Sequence, residues 1–145
     1  MPLVASWIAL SVALAAAENT PLVVQAPDCP VRIDRAKVLN IVADEPAVLL
    51  YAATNTIDID LEQFTVIAFI FDAQGTLKAR QGAPARRLLE KGTTKYSTMV
   101  LDGWAVTATD RVVFGVNQAQ RIDSDKWWHA ELEGAAKELV TKKQK

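Results

Sequence analysis

FTVIAFIFDAQGTL, residues 64–77, decides the fold. Side chains alternate sides along an extended chain, so Phe64, Val66, Ala68 and Ile70 share one face and Thr65, Ile67, Phe69 and Phe71 the other. Within residues 64–71 Thr65 is the one side chain suited to water, which makes this an interior strand covered on both faces at its end. Asp72-Ala73-Gln74-Gly75 then turns the chain, with Gly75 where a positive φ is needed. Leu77-Lys78-Ala79 starts a short return.

Outward from this strand the pattern stays extended. Residues 47–57, AVLLYAATNTI, form a strand ended by Thr54-Asn55-Thr56, whose side chains bond locally to backbone. Residues 31–41, VRIDRAKVLNI, begin in alternation at Val31 and Ile33, then slip, because Ala36 and Val38 are out of step with Ile33. A β-bulge near Asp34-Arg35 reconciles them; a short helix from Arg35 to Ile41 is the competing reading. Residues 94–101, TKYSTMVL, place Tyr96, Thr98 and Val100 on one side and Lys95, Ser97 and Met99 on the other. Asp102-Gly103 is a turn, and Trp104 to Val106 and Val112 to Val116 supply two further strands. In residues 80–94, Pro84 is read as opening a brief helical turn that ends at Gly92.

The period changes over residues 129–143. Leu132, Ala135, Ala136, Leu139 and Val140 recur at helical spacing, with Glu131 and Glu133 early and Lys142 and Lys143 late, as the helix dipole favours. Six or seven short strands and one terminal helix favour a sandwich over a barrel: a mainly β, antiparallel β-sandwich with a short C-terminal α-helix.

The N-terminus reads as a targeting segment. Residues 3–17 are uncharged and apolar or small, and Ala15-Ala16-Ala17 precedes polar Glu18. At 1.5 Å per residue this run spans about 22 Å, short of the roughly 30 Å hydrocarbon core, although a retained anchor is the alternative. The expected organisation is a signal peptide over 1–17, an extended lead-in over 18–30, the β domain over 31–128, and a helix with a frayed tail over 129–145. The expected location is periplasmic or extracellular, with no stable membrane span after cleavage.

Charge and cysteine content narrow the chemistry. The 145 residues carry 16 Lys and Arg against 17 Asp and Glu, a net charge of −1. Residues 18–77 hold nine acids and three bases, and residues 78–145 eight acids and thirteen bases. No compact basic stripe interleaved with aromatics appears, so no nucleic-acid partner is expected. Cys29 is the single cysteine, which rules out an intrachain disulfide. It lies far from the apolar run and lacks the small-residue context of a lipidated cysteine, and it reads as a buried thiol at a strand start.

Three local patterns carry a resemblance. Asn55-Thr56 before the central strand, Phe71-Asp72-Ala73-Gln74-Gly75-Thr76-Leu77 at its end, and Asp123-Ser124-Asp125-Lys126-Trp127 near the close resemble small immunoglobulin-like sandwiches of secreted bacterial proteins. The resemblance spans about residues 30–128. It departs from the pattern at Ser124, where a turn glycine is expected, and at Trp128, a second indole. It implies an immunoglobulin-like architecture and a role in adhesion or assembly; it implies no catalytic residue.

Candidate sites are few. His129, the only histidine, has no nucleophile elbow to serve and no partner at zinc-ligand spacing. Asp58, Asp60 and Glu62 alternate, so an extended chain would place three carboxylates on one face, a set that hard Ca²⁺ accepts. The spacing lacks a calcium-loop glycine, and solvated surface is the plainer reading. No catalytic residue, metal ligand or cofactor is assigned. The possible interaction surface is Arg86 and Arg87, in the densest basic region, with the aromatics Trp104, Trp127 and Trp128. The expected function is a non-enzymatic exported module that binds a protein partner. The alternative is a small-ligand or carbohydrate-binding accessory domain using an exposed tryptophan.

Overall fold

A computed structural model describes residues 17–40, 46–101, 106–123 and 125–143. The expected signal segment up to residue 16, the Asp102-Gly103 turn and Trp104 lie outside them. The strands are β1 (Ala17–Asn19), β2 (Leu22–Val24), β3 (Val31–Asn40), β4 (Val48–Asn55) and β5 (Leu61–Phe71). They continue as β6 (Leu77–Gly82), β7 (Arg86–Leu89), β8 (Thr94–Val100), β9 (Arg111–Arg121) and β10 (Lys126–Trp128), and the chain closes with helix α1 (Leu132–Lys143).

The strands form two sheets. One is four-stranded in the order β1-β3-β4-β8; the other is six-stranded, with the path β10-β9-β5-β6, β2 beside β9 and β7 beside β5. All pairings are antiparallel except β2 with β9, where Leu22, Val23 and Val24 run parallel to Val113, Phe114 and Gly115. The expectation of a wholly antiparallel arrangement is corrected at that pair. It arises in residues 18–30, the expected extended lead-in, where β2 lies beside β9, while β1 (Ala17–Asn19) lies beside β3.

The slip in β3 is a bulge between Ile33 and Arg35, and the competing helix does not form. Thr54 closes it: its hydroxyl bonds Asp34 and lies 2.7 Å from that of Thr94. The Thr54 hydrogen bond, and then Arg32, hold the Asp34 carboxyl below its ordinary pKa. The helical turn expected after Pro84 is also corrected. Residues 86–89 are strand β7, with Arg86 opposite Phe64 and Leu89 opposite Leu61.

The central strand is β5, flanked by β9 on one side and by β6 and β7 on the other. Its two faces feed two separate clusters. Phe64, Val66, Ala68 and Ile70 join Val31, Leu49 and Met99 of the four-stranded sheet in the larger core. There the rings of Tyr51 and Phe114 meet with centroids 5.4 Å apart. Phe69 and Phe71 point the other way, into a second cluster with Val113 and the Leu132, Ala136 and Val140 stripe of α1. Close approach of the helix requires Gly115, since a Cβ there would lie 2.9 Å from Leu132 Cδ1 and 3.0 Å from the Val24 carbonyl oxygen. The β5–β6 turn follows its sequence: Asp72 Oδ1 accepts the Gln74 and Thr76 N–H groups at 2.9 Å, and Gly75 has φ 82°.

Candidate functional site

The residues expected to form an interaction surface are dispersed. Arg86 and Arg87 are consecutive in β7 and point to opposite sides. Arg86, opposite core-facing Phe64, is half-buried; Arg87, opposite Gln63, is exposed. Burial raises the Tyr51 hydroxyl pKa, against which the nearby Arg86 charge acts. The basic region around them is engaged at home. Lys95 Nζ donates to the Arg87 and Leu88 carbonyls at 2.9 and 3.0 Å, Lys91 lies 3.7 Å from Asp58, and Arg80 lies 3.5 Å from Glu133.

The two described indoles also part company. Trp127 packs on the larger core, and its Nε1–H donates to Asp28 Oδ2 at 3.0 Å, tying β10 to the turn before β3. Trp128 is 57% exposed, with Lys126 Nζ 5.1 Å from its ring centre. His129 sits edge-on to Trp127, and its Nδ1 accepts the Glu131 N–H at 3.3 Å, at the approach to α1.

The acidic triplet does not assemble. Residues 57–59 bend, so Asp58, Asp60 and Glu62 do not share an extended face. Asp60 Oδ1 accepts the Lys91 N–H at 2.9 Å, which pins the β7–β8 turn. No group of three His, Cys, Asp or Glu side chains able to hold a metal occurs among the described residues. Cys29 is buried, and that burial pushes its thiol pKa up to about 11, which leaves it a poor nucleophile near neutral pH.

Two features lie beyond the expected surface; in sequence the first reads only as side chains bonding locally to backbone, and the second is passed over. Asn55, fully buried, donates through Nδ2 to the Ile59 and Leu89 carbonyls at 2.9 and 3.0 Å and accepts the Ile57 N–H at 3.0 Å. It holds two loops together and so serves the fold. The second is the outer face of the four-stranded sheet. Pairing places Arg35 opposite Ala52, Lys37 opposite Leu50 and Leu39 opposite Val48, and beyond β4 it sets Tyr96, Thr98 and Val100 opposite those same residues of β4. Arg35, Lys37, Leu50, Ala52, Tyr96 and Thr98 line an open groove of about 330 Å³. Tyr96 is 69% and Val100 46% exposed. The alternation within TKYSTMV was the available signal, because it sends an aromatic and a valine outward.

The adjoining edge of β8 is guarded. Beside the Lys95 contacts, Gln81 Nε2 donates to the Val100 carbonyl at 2.6 Å. Both ties run to strands of the other sheet and blunt the edge as a template for strand addition.

Comparison with protein-family models, with curated proteins and with solved structures finds no match to the chain. Among the described residues, no helix is long and apolar enough to cross a membrane.

Proposed function

We propose that this chain is an exported, non-enzymatic immunoglobulin-like β-sandwich that acts as a protein-interaction or assembly module. Strand order supports the architecture. β3-β4-β8 and β10-β9-β5-β6 correspond in sequence and space to strands A-B-E and G-F-C-C′ of that fold. Antibody domains join strands B and F by a disulfide; here those positions in the order carry the Tyr51–Phe114 ring pair instead.

The observation that carries the function is the contrast between the two outer faces. α1 covers Phe69 and Phe71 on the outer face of the six-stranded sheet, whereas no described element lies over the Leu50, Tyr96 and Val100 side of the other. An apolar sheet face ringed by polar groups is a surface for a partner. Export rests on the uncharged run before Glu18, and the partner is met in the periplasm or outside the cell.

A photoreactive phenylalanine analogue at position 98, on the chain produced with its N-terminal segment in the native host, tests this reading. A discrete protein adduct from position 98 and none from position 128 is expected, on a chain whose terminus is near Glu18. Absence of a protein adduct at 98 refutes the interaction role, and an intact Met1 on cytoplasmic protein refutes export. Trp128 gives the carbohydrate alternative one exposed indole; glycan retention that is lost on Trp128→Ser would shift the assignment to it.

A further inference from the structure

Granting that the outer face of the four-stranded sheet is an interaction surface, we infer that its occupant is an amphipathic helix of a partner protein, apolar along one stripe and acidic along the flank beside Arg35 and Lys37. Three observations lead there. The first concerns shape. The face is a pleated surface with its groove over β4, between β3 and β8, and the β8 edge is bridged to the other sheet by Lys95 and Gln81. A strand laid across side chains would leave its own backbone groups without partners, and a strand at the edge meets the Lys95 and Gln81 ties. A helix satisfies its backbone internally and needs only an apolar stripe. The chain uses that solution on its other sheet, where Leu132, Ala136 and Val140 of α1 cover Phe69, Phe71 and Val113.

The second concerns charge. Arg35 stands along the β3 side of the groove beside Lys37, which has an interaction of its own, and the nearby carboxylate of Asp34 is held by Arg32 and Thr54. A docked helix with Glu or Asp on that flank places opposite charge against a partly desolvated guanidinium, where a bidentate pair adds orientation as well as energy. A second copy of this chain is disfavoured, because face-to-face pairing would bring Arg35 and Lys37 of both copies into one layer. Two cations are also few for an anionic membrane surface, where clusters of four to eight are typical.

The third concerns anchoring. Tyr96 offers a large, mostly exposed ring on a rigid strand, with half-buried Leu50 beside it to meet an apolar side chain. Tyrosine set in an apolar surround is a frequent source of binding energy at interfaces. β8 is seven residues long, about 23 Å at 3.3 Å per residue, which matches about fifteen residues of helix at 1.5 Å each.

The probe is a fluorescent peptide of about fifteen residues at helical patterning, with leucines on one stripe and glutamates along one flank. Its partners are a lysine version, a proline-interrupted version and anionic phosphatidylglycerol vesicles, each titrated against the mature chain. The glutamate peptide should bind at least about tenfold tighter than the other two, a gap of about 1.4 kcal/mol. Arg35→Glu should invert the preference between glutamate and lysine, Tyr96→Glu should weaken binding by about tenfold or more, and Trp128→Ser should change nothing. Both lost side chains are exposed, and Thr98→Arg gives an independent block of the groove; urea midpoints confirm that each variant folds. Equal binding of the glutamate and lysine peptides, binding indifferent to Tyr96→Glu and Thr98→Arg, equal binding of the interrupted peptide, or preference for vesicles overturns the inference. A protein adduct at position 98 combined with any of these results would retire the acidic helix and leave the interaction role standing.

Discussion

Ile70 and its neighbour Phe69 lie one residue apart on β5 and belong to different clusters, so a substitution in α1 should feel one and ignore the other. Leu132, 5% exposed, shares a buried cluster with Phe69, 1% exposed, while Ile70 joins the core shared by both sheets. Removing most of a packed side chain costs transfer energy plus a cavity: about 3–5 kcal/mol for Phe69→Ala and about 2–5 for Leu132→Ala or Ile70→Ala. The informative quantity is the interaction between pairs. Phe69→Ala with Leu132→Ala should cost less than the sum by about 0.5–3 kcal/mol, because the second truncation enlarges a cavity whose contacts are already lost. Ile70→Ala with Leu132→Ala should add to within about 0.5 kcal/mol, since the sheet separates the two sites. Such losses approach the typical 5–15 kcal/mol of total stability, so the urea melts are run in trimethylamine N-oxide to keep the double variants folded. Coupling of Leu132 to Ile70 as strong as to Phe69 would mean a single continuous core, and the separation drawn at β5 would be wrong.

Two glycines make an opposed pair. Gly115→Ala forces a Cβ against Leu132 and the Val24 backbone and should destabilise by about 1–3 kcal/mol, whereas Gly134→Ala, with nothing nearer than 3.7 Å, should stabilise α1 by about 0.5–1 kcal/mol in thermal melts. Equal effects would show that the helix does not approach β9 as described. Asp110 is buried, which by itself raises its pKa, but the 2.7 Å bond from Lys78 and the Thr107 N–H at 2.9 Å outweigh this and leave it lowered. A lowered carboxyl stabilises the fold above its unfolded pKa of about 3.9 and loses that contribution as pH falls through the folded value. Lys78→Met should therefore cost about 1–3 kcal/mol at pH 7 and progressively less toward pH 3, and a cost independent of pH would exclude the ion pair as its source.

Much of the fold was legible because local and global preferences agree. The alternation of residues 64–71 gave β5 and both of its faces, the slipped parity of Ile33 and Ala36 gave the β3 bulge, and Asp72 with Gly75 gave the turn. Where reading failed, pairing overrode local signals. Leu22-Val23-Val24 is too short to declare itself, and its strand exists because β9 offers an edge in parallel register. Arg86 to Leu89 follows a proline and carries two arginines, yet pairs with β5, even with Leu88 at a positive φ of 53°. The candidate surface was harder still. Basic residues adjacent in sequence point apart or bind carbonyls, and Trp127 turns inward to Asp28. The face with no cover among the described residues draws on β3, β4 and β8, strands whose adjacency no local pattern states.

The helix shows why residue-by-residue hydrophobicity misjudges a docking element. Its stripe looks poor in apolar area because Ala135 and Ala136 hold central positions, which argues for a cheap accessory. Small side chains have a second consequence: they let the helix approach, and Gly115 removes the Cβ that would hold Leu132 away. The area covered then lies mainly on the sheet, in Phe69 and Phe71, which are at most 1% exposed. Each buried phenylalanine withdraws on the order of 150–250 Å² from water, several times what an alanine can supply. The energetic weight of α1 therefore depends on the residues beneath it. On the proposed interaction face of the four-stranded sheet, Tyr96 and Val100 point outward with no described cover, and by the same reasoning they would supply most of the apolar area that a partner helix meets.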